Sequence, residues 1–134
     1  MSGPQTVRAA ALAVGGLQLF ANIAILIRGP LRIRAELQLG SVSERFADLL
    51  GVAWVYGGVA NLCIPALLFL VAGPLRDGSL LAWRVAVLVG VYYVAVGLAT
   101  YLLGIRTHPG LLAFVLFGLI LLIPLWAARA HYGE

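Results

Sequence analysis

The side chains that could do polar chemistry inside the apolar stretches of this chain are few: Gln18 and Asn22, then Asn61, then Tyr93, Thr100 and Tyr101. Gln18 and Asn22 are four residues apart, so on a helix they share one face. A carboxamide offers two N–H donors and an acceptor oxygen but no charge. At depth it can hydrogen-bond to a neighbouring helix and fix its register, or it can hold the polar group of a bound amphiphile. The expected pocket for a lipid, quinone or similar molecule is built on Gln18, Asn22 and Asn61. Thr100 adds a hydroxyl, and Tyr93 and Trp54 serve as walls.

Acid–base and nucleophilic chemistry has less to work with. The two histidines are His108, in a Thr-His-Pro-Gly turn, and His131, near the end of the sequence. Neither is placed to converge with the other on a haem or a metal ion. Cys63 is the single cysteine and reads as a small packing residue. Glu44 and Asp48 stand where a helix N-terminus favours negative charge, and Arg84 is close enough to a span end to snorkel. No nucleophile–base pair, paired carboxylates or phosphate-binding glycine loop is present, so no cofactor, metal or catalytic group is expected. Proton-coupled transport normally needs an intramembrane carboxylate or histidine, and the first apolar run carries Gln18 instead.

The elements that must position these residues follow from composition. Of 134 residues, 63% are hydrophobic and 10% are charged, whereas a soluble domain carries about a quarter charged residues. The missing water-facing surface must face lipid. Four apolar runs are long enough for a span of about 20 residues: residues 9–27, 48–72, 80–104 and 110–128. The first exceeds the h-region of a signal peptide and is read as a retained span. The expected fold is an all-α integral membrane protein, a single transmembrane domain over residues 1–134. Its four spans form an antiparallel bundle with short connections, apart from a longer arginine-rich segment between the first two.

Gly29-Pro30 and Gly73-Pro74 are the expected stops of the first two helices. Residues 31–39 alternate apolar and polar, which suits either a strand or, given Arg32 and Glu36, an interfacial helix. Arg32 and Arg34 mark this segment as a surface one. Ser41-Val42-Ser43-Glu44 is the expected capping box of the second helix. Small or helix-breaking residues recur every seven positions: Gly15, Asn22 and Gly29; Gly51, Gly58 and Pro65; Gly90, Gly97 and Gly104. Positions seven apart lie along one stripe, so each run presents a seam for close helix packing. The stretch from Gly51 to Asn61 also aligns with that from Gly90 to Thr100, as a duplicated hairpin would.

All nine basic residues are arginines spread over the span ends and the connections, against five acidic residues. No basic patch suited to nucleic acid exists. The arginine distribution weakly favours both termini outside and leaves dual topology open. The expected function is non-catalytic association, as an accessory subunit or homo-oligomer with membrane lipid as partner, or binding of a small amphiphile, in a bacterial inner membrane. The rivals are a small transporter or channel for a neutral solute, and an interfacial lipid- or sterol-modifying enzyme using Glu44, Asp48, Arg84 or His108.

Overall fold

A computed structural model describes residues 3–102 and 112–133. These residues form α1 (Gly3–Gln38), α2 (Glu44–Arg76), α3 (Leu80–Leu102) and α4 (Leu112–Ala127), followed by a 3₁₀ turn at Arg129–Tyr132. No strand occurs among the described residues. Three helices are long and apolar enough to cross a membrane, and α4 is a shorter apolar helix. The protein is therefore all-α, with membrane-spanning helices.

The first two helices are longer than their apolar runs. α1 continues through Gly29-Pro30 to Gln38, and α2 through Gly73-Pro74 to Arg76. A helix of 36 residues is about 54 Å long at 1.5 Å per residue, well beyond a hydrocarbon core of about 30 Å. The segment from Leu31 is thus neither a strand nor a separate interfacial helix. It is the last part of α1, carried past the apolar run with Arg32 and Arg34 exposed. Proline fails as a stop here because its fixed φ is itself helical. What it removes is one amide N–H, and a membrane helix tolerates that loss when neighbouring groups serve the freed carbonyl.

The stops that do operate are glycines in the left-handed region, Gly40 (φ 69°) and Gly78 (φ 79°). After α1, the amides of Gly40 and Ser41 bond the carbonyls of Leu37 and Glu36. After α2, those of Gly78 and Ser79 bond Leu75 and Pro74 in the same pattern. This pairing is the Schellman motif, which a residue without Cβ adopts at least cost. A serine then opens each following helix. The Ser43 hydroxyl accepts from the Phe46 amide at 3.4 Å, and that of Ser79 from the Ala82 amide at 3.4 Å. The cap of α2 is therefore Ser43, not Ser41, because Ser41 is committed to ending α1.

The chain divides into two compact units: Met1–Gly15 with Leu67–Glu134, and Gly16–Ala66. In the first, α3 and α4 pack antiparallel. Ala82, Ala86, Val89, Tyr93 and Gly97 form the buried stripe of α3, and Gly118, Leu121 and Leu125 that of α4. The spacing of three and four residues keeps each stripe on one face of its helix. They approach closely at Gly90 and Gly118. A Cβ on Gly118 would meet the Gly90 carbonyl oxygen at 2.7 Å and the Val94 amide nitrogen at 3.0 Å. Gly15 faces Leu68 and Phe69 in the same unit. The second unit is the antiparallel hairpin formed by the later part of α1 and the first part of α2.

Candidate functional site

Within the Gly16–Ala66 hairpin, the polar side chains answer a problem set by proline. Pro65 is fully buried inside α2 and has no N–H to give the carbonyl four residues earlier, which is that of Asn61. The Asn22 side-chain amide donates to this carbonyl at 2.7 Å. Asn22 is 5% exposed, so the bond lies inside the packing, where an unmet carbonyl is costly. Asn22 and Asn61 are thus brought together, but through the backbone of α2.

A second side-chain bond to a helix carbonyl lies nearer the turn. Pro30 deprives the Leu26 carbonyl of its helical partner, and one residue earlier the Ile25 carbonyl accepts the Trp54 indole N–H at 3.1 Å. Gly29 makes room for that ring, since a Cβ there would coincide with the Trp54 indole. Trp54 is therefore a helix-bridging donor as much as a wall. Gly58 faces Leu26, whose Cγ would lie 2.7 Å from an added Cβ, whereas Gly51 faces open space.

Gln18 is the exception. It is 1% exposed, and both its amide nitrogen and its oxygen are buried without a hydrogen-bond partner. It lies one turn before Asn22. In an antiparallel pair that sets Asn22 beside Asn61, moving back four residues on α1 means moving on four along α2, to the level of Pro65. By this register the unpaired carboxamide lies at the level of Pro65 along the hairpin. A carboxamide can offer two donors and two lone pairs, and none is used.

The first unit disposes of its polar groups differently. The Thr100 hydroxyl bonds back to its own helix, to the carbonyls of Val96 at 2.7 Å and Gly97 at 3.0 Å. Tyr93 is buried against Phe114 with ring centroids 6.1 Å apart, and its hydroxyl has no hydrogen-bond partner. Two further donors carry out the capping of helix ends. The Trp83 indole N–H reaches the Leu125 carbonyl at 3.0 Å, and the Tyr132 hydroxyl reaches that of Leu75 at 3.0 Å. Both acceptors are among the last carbonyls of α4 and α2, which lack ordinary helical partners. Burial also pushes the Tyr132 phenol above its usual pKa.

The residues expected to line a single pocket are divided between the two units. Gln18, Asn22, Trp54 and Asn61 belong to the hairpin unit, while Tyr93 and Thr100 belong to the other. Among the expected packing glycines, Gly97 is buried, and Gly104 lies outside the described residues, as does His108. Arg32, Arg34, Glu44, Asp48 and Arg84 are all exposed. The sequence reading overlooked Gly118, the one glycine of α4, and the capping roles of Trp83 and Tyr132. It had a signal for the Asn22 bond in the Asn-x-x-x-Pro spacing of Asn61 and Pro65, which places an unserved carbonyl on an asparagine. No group of three or more metal-ligating side chains occurs among the described residues. Comparison of the chain with protein families, with characterised proteins and with solved structures finds no match.

Proposed function

We propose that this protein works by non-catalytic association in a bacterial inner membrane, as an accessory subunit or homo-oligomer, and that Gln18 receives the polar group of a small amphiphile. The observation that carries the reading is the Gln18 carboxamide, buried with both ends unpaired. Leaving such a group unmet costs about 1–3 kcal/mol. A ligand that supplies an acceptor and a donor together gains that amount on binding. Neighbouring deep amides are already bonded, so the recognition is concentrated on one residue. Association is supported by the first half of α2, where Val52, Val55, Tyr56 and Val59 share one face and are all more than a third exposed. That face requires lipid or another helix.

The test compares wild-type protein with Gln18→Leu, each purified in mild detergent and analysed by native mass spectrometry with lipid profiling. A small amphiphile should accompany the wild type and be lost from Q18L, while Q18L unfolds at higher detergent denaturant because the unmet amide is gone. The same bound species on a destabilised Q18L would assign the amide a structural role and remove the ligand reading. Solute flux in proteoliposomes that disappears in Q18L would replace it by the transporter.

A further inference from the structure

The outer face of the α3–α4 pair carries a groove of about 560 Å³ lined by Val87, Val91, Leu122, Ile123, Trp126 and Ala127. Its volume lies in the range of roughly 300–1,000 Å³ common for ligand sites. Apart from the indole N–H of Trp126, no side chain in the lining can hydrogen-bond, so a polar solute has nothing to hold. A hydrocarbon chain fits that chemistry.

One end of the groove is cationic. The Arg129 guanidinium carbon lies 4.6 Å from the centre of the Trp126 ring, a cation–π contact that orients it over the groove wall. Arg84 is one turn before Val87 on the stripe that continues to Val91, and helical side chains lean toward the N-terminus. The bond from Trp83 to the Leu125 carbonyl sets the two helices in register, so Arg84 and Arg129 stand at the same end. Both are exposed, and neither forms an ion pair among the described residues. Among the described residues, the acidic group near that end, Asp77, is held by Arg76 at 3.2 Å.

We infer that this groove binds an anionic phospholipid, with an acyl chain along Val87, Val91, Leu122 and Ile123 and the phosphate between Arg84 and Arg129. Arginine suits this role because its fork of donors matches phosphate oxygens. A zwitterionic lipid would fill the apolar wall as well but gain less at the arginines. The site is separate from Gln18 and stands or falls independently of it.

The full chain in detergent, given equimolar phosphatidylglycerol and phosphatidylcholine of identical acyl chains, tests the inference by native mass spectrometry. Phosphatidylglycerol should be retained preferentially. The double variant R84A/R129A should lose that preference by on the order of twenty-fold, from roughly fivefold per arginine at an anionic lipid. R32A/R34A, whose arginines lie on α1, should keep it. If R84A/R129A does not fold, R84Q/R129Q serves the same comparison. Equal retention of the two lipids by the wild type, or a preference that survives loss of both arginines, would overturn the assignment.

Discussion

Replacing Asn22 by leucine removes the donor that serves the Asn61 carbonyl, and the cost should depend on what stands at position 65. In the wild type the carbonyl then has no partner, because Pro65 cannot supply one. Hydrogen bonds between membrane helices contribute about 0.6 kcal/mol on average and up to about 1.7. This one is short, at 2.7 Å, and its donor is buried, so N22L should cost about 1–2 kcal/mol. Pro65→Ala restores an N–H that can close the helical bond to Asn61. In that background the Asn22 amide is redundant, and N22L should cost close to nothing. Packing lost with the proline ring is common to both P65A proteins and cancels in the cycle. Unfolding by sodium dodecyl sulfate in mixed micelles, followed by far-UV circular dichroism, measures all four proteins. A coupling of about 1 kcal/mol or more is expected. Equal costs of N22L in the two backgrounds would refute the claim that asparagine repairs a proline break.

Four further changes probe the packing and the bonds at helix ends. Gly118→Ala places a methyl against the backbone of α3 and should cost about 1–3 kcal/mol in detergent unfolding, while Gly51→Ala, with nothing within 4 Å, should be neutral or stabilise by up to about 1 kcal/mol. Trp83→Phe keeps most of the ring but deprives the Leu125 carbonyl of its donor, for an expected loss of about 0.5–1.5 kcal/mol. Tyr132→Phe should lose a similar amount at neutral pH. Because burial raises the folded Tyr132 pKa above the unfolded value near 10, its contribution is full below that pH and disappears as pH rises through the folded pKa. Y132F should therefore show a shallower alkaline loss of stability than the wild type in a pH series of melting temperatures.

The apolar runs made the four helices legible, because a span needs a long stretch without charge. Their ends were less legible. Gly29-Pro30 looks like a stop in a soluble context, yet the helix crosses it. What no local pattern displays there is tertiary packing: the Trp54 indole sits against Gly29 and donates to the Ile25 carbonyl. The alternation over residues 31–39 misleads for a related reason: the segment lies beyond the apolar run, and its helicity is inherited from α1. Seven-residue spacing located Gly15, Gly58 and Gly90, which do face neighbouring helices, but it also included Gly51, which does not. A repeat fixes a stripe without saying what covers it. Gln18 and Asn22 looked equivalent in the sequence, and only the register against Pro65 and Asn61 separates a bonded amide from an unpaired one.

Cys63 offers the most direct test of the membrane placement on which the whole account rests. It lies on α2 with about 20 Å of helix on either side before Asp48 and Arg76, and it is exposed on the surface of the chain. If that surface faces lipid, the thiol should resist a membrane-impermeant maleimide added to both sides of intact vesicles. It should then label fully once sodium dodecyl sulfate dissolves the bilayer. Prompt labelling in intact vesicles would place this part of α2 in water and contradict the account.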